Sequence, residues 1–202
     1  MDGGLIRSAA PDPGDADARP IWRTNMKIGA TNGSTRTGLA PLTWALSADP
    51  HPPGRVMTLH RDTVVPTALD ETFAFFADAA NLERLTPQWL NFTILTPAPV
   101  MRRGAEIDYR IRLYGMALPW KTSIDVWEPG VCFVDRQVVG PYRWWRHEHR
   151  FEAVAGGTKI VDHVEYLPRA AWLTRRFVER DLERIFSYRQ HALRAIFADP
   201  GT

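Results

Sequence analysis

Gly140-Pro-Tyr-Arg-Trp-Trp-Arg-His-Glu-His-Arg-Phe151, then a Gly156-Gly157 pair, then Thr158-Lys-Ile-Val-Asp-His-Val-Glu-Tyr-Leu167 decide how this chain folds. Two alternating runs joined by a Gly-Gly turn read as a β-hairpin. On the first run Trp145, His147, His149 and Phe151 share a face, because successive strand side chains point to opposite sides. On the second, Ile160, Asp162, Val164 and Tyr166 share a face. If Gly156 and Gly157 are the loop, Ala155 pairs with Thr158, and Phe151 faces Asp162, His149 faces Val164 and His147 faces Tyr166. His149 and Asp162 are then diagonal neighbours. A mostly apolar sheet face that also carries two histidines and an aspartate suggests the lining of a cavity rather than a solid core.

Working outward, the 202 residues are 45% hydrophobic and contain no apolar run of about 18 residues, which allows one domain with a real core and argues against a membrane-spanning helix. The 25 basic residues are nearly balanced by 23 acidic ones, so charge gives no argument for a nucleic-acid partner. Cys132 is the single cysteine and stands in an apolar run; neither a disulfide nor a cysteine metal cluster is expected. No charged segment followed by an apolar one opens the chain, so no secretory signal is expected and the cytoplasm is the default compartment.

Residues 1–56 are rich in Pro, Gly, Asp, Ser and Thr and hold no sustained period; only Leu39 to Leu46 is apolar. They read as a disordered extension, or as sequence upstream of a natural start at Met57. The domain is expected at 57–199. It opens with a strand at Thr58–Val65, stopped by Pro66. Thr67, with Asp70 three residues on, reads as a capping box for a helix whose stripe is Leu69, Phe73 and Phe76. A short second helix runs through Leu82 and Leu85, and a strand follows at Phe92–Leu95. A meander of antiparallel strands comes next, with Ile107, Tyr109, Ile111 and Leu113 on one face of the first. Trp120, Thr122, Ile124 and Val126 share a face on the second, and Phe133, Asp135, Gln137 and Val139 on the third. Residues 170–198 form one long helix with Val178, Leu182, Ile185, Leu193 and Ile196 on its apolar side. Its arginines, Arg169, Arg175, Arg176, Arg180, Arg184, Arg189 and Arg194, are assigned to a solvated outer face ahead of an anionic-partner site.

Strand, two short helices, a meander and a long helix make an α+β architecture: a curved antiparallel sheet gripping a C-terminal helix. From Met57 to its end the chain resembles the helix-grip START/polyketide-cyclase (SRPBCC) superfamily. The resemblance is carried by Phe73-Ala-Phe-Phe-Ala-Asp-Ala-Ala-Asn-Leu-Glu-Arg-Leu-Thr-Pro-Gln-Trp-Leu90, by Gly140 to Phe151, by Thr158 to Tyr166, and by Asp181-Leu-Glu-Arg-Ile-Phe-Ser-Tyr-Arg189. These segments are similar to bacterial ligand-binding proteins related to the coenzyme-Q-binding and cyclase/dehydrase branches. The resemblance implies a hydrophobic cavity. The short link from Tyr166 to the final helix departs from it and leaves little room for a lid loop.

His147, His149 and Asp162 are the candidates for catalysis, because a carboxylate that fixes an imidazole tautomer is what a general base needs. The plainer reading, a polar network that holds a ligand without turnover, is preferred. With Asp135 and Gln137 these three are the polar candidates for ligand binding; Tyr109, Trp120, Phe133, Trp145 and Tyr166 are the aromatic ones. His-x-His supplies two metal ligands and no third is identified, so neither metal nor cofactor is expected. No Gly-x-Ser-x-Gly elbow, phosphate-binding glycine loop or His-Glu-x-x-His is present. The arginines of Tyr142–Arg150 point away from His147 and His149, which argues against stacking on nucleic acid. Three readings follow: a binder of a hydrophobic small molecule (lipid, isoprenoid quinone or polyketide), a cyclase/dehydratase, or a protein-partner module docking through the arginine-rich helix.

A chain started at Met57 is expected to melt at the same temperature as the full chain. A drop of several degrees in Tm, measured by calorimetry, would show that the extension packs on the domain.

Overall fold

The alternating runs become seven antiparallel strands of one sheet in a computed structural model, which describes residues 55–198. In chain order the elements are β1 (Met57–Val65), α1 (Leu69–Ala77), α2 (Asn81–Leu85), β2 (Thr93–Ile94), β3 (Glu106–Leu113) and β4 (Met116–Glu128). They continue with β5 (Cys132–Val139), β6 (Tyr142–Val154), β7 (Gly157–Pro168) and α3 (Ala171–Ala198). A 3-10 turn at Gln88–Leu90 links α2 to β2. The sheet runs β1-β7-β6-β5-β4-β3-β2, so the first strand closes on the last and the meander keeps its chain order. Of the reading for residues 1–56, all but the last two residues lies outside the described residues.

The β6–β7 turn sits one residue earlier than the Gly-Gly pair suggests. Val154 pairs with Gly157, leaving Ala155 and Gly156 as the loop, with Gly156 at φ +84°. Gly157 is needed for another reason: a Cβ there would fall 2.0 Å from the Val65 carbonyl oxygen at the end of β1. Moving the loop by one residue changes each cross-strand partner by two. A change of two leaves every side chain on its expected face, whereas a change of one would have reversed them. His149 therefore lies directly opposite Asp162, not diagonal to it; His147 faces Val164, and Trp145 faces Tyr166.

Two irregularities re-aim the neighbouring strands. Ile124 pairs with Asp135 but Val126 with Val134, so Asp125 is an extra residue on β4. Past this bulge Val126 leaves the inner face expected for it, and Trp127 turns inward onto Phe73 and Phe133. A second shift, between Lys121 and Thr122, leaves Val138 unpaired in β5, and Val139 ends half exposed rather than in line with Asp135. The expected capping box also does not form. Ala68 is the N-cap of α1 and makes no side-chain cap; the Thr67 carbonyl instead accepts the Thr158 hydroxyl at 2.8 Å. That bond ties the start of α1 to β7.

Two apolar clusters fill the space between sheet and helices. One holds Val65, Phe73, Phe76, Phe133, Phe151 and Leu193, the other Leu59, Trp120, Trp145, Val164, Leu182 and Phe186. α3 contributes to both through one stripe, Leu182, Phe186, Arg189 and Leu193, spaced four, three and four residues apart. Only two residues, Arg169 and Ala170, link β7 to this helix, in keeping with the short connection read from the sequence.

Leu182 is buried, and its change to Ala is expected to lower unfolding free energy by about 2–5 kcal/mol in a denaturant titration. Arg184 is exposed with its guanidinium over the Trp89 ring, and its change to Ala is expected to cost under about 1 kcal/mol. Equal losses would mean that the helix is rotated from the orientation described.

Candidate functional site

Between the inner sheet face and α3 lies a cavity of about 580 Å³. The alternation of β3 brings Ile107, Tyr109 and Ile111 to its wall, and β4 adds Trp120, Thr122 and Ile124. Tyr109 stacks on Trp120, which meets Trp145 edge-on at 5.2 Å. α1 and α2 contribute Phe76 and Leu82, and α3 contributes a line from Phe177 to Arg189. Tyr114, in the β3–β4 turn, donates its hydroxyl hydrogen bond to Asp181 on α3.

The cavity wall changes character where the two apolar clusters meet. His147 lies edge-on to Trp145 and Phe186 of one cluster; His149 stacks on Phe133 of the other, with ring centres 4.2 Å apart. The two imidazoles are themselves 3.7 Å apart, centre to centre. Behind them lies Asp162, almost fully buried and directly across the hairpin from His149. Its Oδ1 accepts a hydrogen bond from His147 Nε2 at 3.0 Å and lies 2.8 Å from His149 Nδ1; its Oδ2 accepts from Arg189 Nε at 3.2 Å. Arg189 Nη2 also comes within 3.2 Å of His149 Nδ1. That nitrogen therefore either donates to Asp162 or accepts from Arg189. On the far side, Asp135 Oδ2 lies 3.1 Å from His149 Nε2 and 3.6 Å from His147 Nδ1. The other Asp135 oxygen accepts from the Thr122 hydroxyl at 3.3 Å.

Burial alone would raise both carboxyl pKa values, but the cluster overrides it. The Arg189 charge and the hydrogen bonds from His147 and His149 hold Asp162 well below the usual carboxylate range. For Asp135 burial is again opposed, by the His149 hydrogen bond and then by electrostatic attraction to its neighbours His147, His149 and Arg189, and its pKa is lowered. His147 goes the other way for a base. Burial first, and then neighbouring His149, push it down to about 4, against the pull of Asp162.

Most of the residues expected from the sequence meet at this cavity. Tyr109, Trp120, Phe133 and Trp145 line it, as do Asp135, His147 and His149. Asp162 belongs to the polar cluster but stands behind the histidines, outside the cavity lining. Tyr166 is buried against Tyr142 and Trp145 and does not line the cavity. Gln137 is also absent from the lining: its amide nitrogen donates to the Tyr142 carbonyl and its oxygen accepts from the Tyr142 N–H, closing the β5–β6 turn. Arg189 is the residue that sequence reasoning misplaced. Assigned to a solvated outer face, it is buried and lines the cavity. The signal was there: it falls seven residues after Leu182 and four before Leu193, on the apolar stripe.

No protein-family model matches the chain, and no curated protein matches it in sequence. Solved structures do match in shape. The Zhui aromatase/cyclase from Streptomyces sp. R1128 superposes with a TM-score of 0.60 at 17% identity, covering 72% of this chain and 95% of that one. Protein Ms6760 from Mycobacterium smegmatis gives 0.55 at 15% identity over 72% and 97% of the two chains. The major latex-like protein 151 from Panax ginseng gives 0.54 at 10% identity over 71% and 99%. The chain has the helix-grip fold. At these identities the neighbours speak for the fold alone. Among helix-grip features, the cavity between sheet and long helix is the one that this chain furnishes with a buried His-Asp-Arg cluster.

The cluster makes the stability of this helix-grip domain depend on pH. Folded His147 stays neutral down to about 4, whereas an unfolded histidine takes up a proton near 6.5. Between these values the unfolded chain binds more protons, so stability is full above about pH 6.5 and falls by up to about 3 kcal/mol as pH drops towards 4. His163, lowered by burial, adds to the same window. The lowered Asp135 and Asp162 contribute stability that is full above the ordinary carboxylate range and is lost only as pH falls below it. Urea unfolding from pH 8 to 4.5 is expected to show this slope, reduced in His147→Asn. A flat profile in the wild-type chain would contradict a neutral buried His147.

Proposed function

We propose that this protein binds a hydrophobic small molecule, of the lipid, isoprenoid-quinone or polyketide class, in the cavity between sheet and α3. The observation that carries this reading is the division of the cavity wall. Most of it is aromatic or aliphatic, and the buried His147, His149 and Arg189 meet Asp135 at one place, while the other charged lining groups, Asp78, Arg169 and Asp181, are not buried. Such a site takes an apolar body by burial and fixes its direction by a few hydrogen bonds to oxygen. A volume of about 580 Å³ suits a molecule of that class. Among the described residues no helix is long and apolar enough to cross a membrane. The outer arginines are partly engaged within the chain, Arg175 with Glu179 and Arg184 with Trp89, so a protein partner on that helix face has less to support it.

A cyclase/dehydratase reading is kept because one observation favours it: two imidazoles border the cavity with a carboxylate behind them. That is the arrangement in which a carboxylate orients a general base towards a bound carbon acid.

Quenching of tryptophan fluorescence by a naphthoquinone tests both readings, since Trp120 and Trp145 line the cavity. Ile111→Phe narrows the cavity without touching the polar cluster and is expected to weaken quenching. His149→Phe keeps the ring stacked on Phe133 and is expected to weaken affinity by about 1–3 kcal/mol if a ligand oxygen loses its partner. If the protein is an enzyme, the same change lowers turnover of a polyketide-like substrate by about 10²–10⁴-fold while binding is largely kept. Native mass spectrometry of the purified full chain, showing no retained small molecule and no added quinone, would overturn the binding reading.

A further inference from the structure

We infer that Asp135, His147 and His149 form a site for one divalent first-row transition ion, zinc or iron(II), open to the cavity. From the sequence no metal is expected, because His-x-His gives two ligands and the third is missing. The fold supplies it: β5 pairs with β6 so that Asp135 stands opposite His147, on the same inner face as both histidines. One ligand atom from each of the three residues lies within 4.8 Å of the other two. The separations to Asp135 Oδ2, 3.1 Å from His149 Nε2 and 3.6 Å from His147 Nδ1, are close to ligand spacing around a single ion. Metal–nitrogen bonds of about 2.0–2.1 Å place neighbouring ligand atoms roughly 2.9–3.4 Å apart.

One assignment of the two imidazole tautomers points the same way. His147 Nε2 donates to Asp162, which leaves its Nδ1 with a lone pair aimed towards Asp135. His149 Nε2 hydrogen-bonds Asp135, and moving that proton to Nδ1, 2.8 Å from Asp162 Oδ1, frees the Nε2 lone pair for an ion. Two imidazole lone pairs and a carboxylate oxygen then converge on one point. In a buried setting they repel one another unless a cation sits between them: a single proton, or a metal ion.

The surroundings are those of a supported metal site. Metal-bound histidines commonly give their other N–H to a carboxylate, which fixes the tautomer and raises ligand basicity. Here one carboxylate, Asp162, serves both rings and is itself held by Arg189. The Thr122 hydroxyl holds the second oxygen of Asp135. Asp135, His147 and His149 border the cavity while Asp162 does not, so the open coordination positions face the space where a ligand would lie. Two imidazoles select against calcium and magnesium, which prefer oxygen ligands. A set of two histidines and one carboxylate with open positions suits zinc or non-haem iron(II). Charge also restricts the bound molecule. Two carboxylates, one guanidinium and a divalent ion leave one positive charge, which an anionic oxygen would neutralise. The inference therefore rests on the cavity reading and narrows it to apolar molecules bearing a phenolate, enolate or carboxylate.

The test uses the full chain, stripped with a chelator and titrated with Co²⁺ and Zn²⁺. One cobalt per chain is expected, with visible ligand-field absorption that zinc displaces. Asp135→Asn and His147→Ala should each abolish the cobalt spectrum. Asp162→Asn should keep one site but weaken it by about 10–100-fold, the usual cost of losing an outer-shell partner. Circular dichroism of each variant separates loss of the site from loss of the fold, and the pair Ile111→Phe and wild type should bind cobalt equally. The inference is overturned if the stripped wild-type chain binds neither ion, or if binding survives unchanged in Asp135→Asn/His149→Ala. Naphthoquinone quenching by the stripped chain keeps the two ideas apart: it persists if only the metal site is wrong, and is absent if the cavity reading is wrong.

Discussion

The contact between Arg189 on α3 and Asp162 on β7 is the interaction on which the rest of the arrangement depends. Both groups are nearly fully buried, and a buried charge left without its partner costs about 3–5 kcal/mol. The pair fixes the rotation of α3 about its axis, because Leu182, Phe186 and Leu193 reach the two apolar clusters only when Arg189 faces the sheet. It also fixes the carboxylate against which both histidines are oriented. Packing of the helix and placement of the polar cluster are thus one event, and neither can be altered alone.

Much of the fold was legible because strand periodicity in this chain is seldom interrupted. Ile107, Tyr109 and Ile111 reach the cavity as their alternation demands. His147, His149 and Asp162 share a face even though the turn between their strands was placed one residue late, since the error preserved parity. Periodicity failed where a strand carries an extra residue. Nothing in Ile124-Asp125-Val126-Trp127 announces a bulge, yet Asp125 accommodates one while bonded to Arg136 and Ser123, and Trp127 takes the inner place. Gln137 was misread for a related reason. A polar residue on an inner register position can satisfy itself locally, and here Tyr142, five residues on across the turn, takes both ends of its amide.

The site was half legible. Identities of the His and Asp residues follow from alternation, but Arg189 was lost because arginine on a helix is usually solvated, and composition outweighed position. Seven arginines in and around one helix invite a single explanation, whereas one of them obeys the spacing of the leucines. The direct His149–Asp162 pairing and the approach of Asp135 from β5 needed the register of three strands at once. No local pattern contains that information.

The cavity has two unlike ends. At Arg189 the helix is buried and the wall is polar; at Phe177, on the same cavity wall, the side chain is largely exposed and marks a rim. The twelve-residue step from Phe177 to Arg189 spans about 18 Å of helix. A guest of the proposed kind would enter head first, its oxygen-bearing end meeting the cluster and its tail trailing towards the rim. Discrimination in such a sleeve is one-sided. The head would be read atom by atom and the tail only until it reaches water, so molecules of the proposed class that share a head group and differ in tail length beyond about 18 Å would be indistinguishable to such a site.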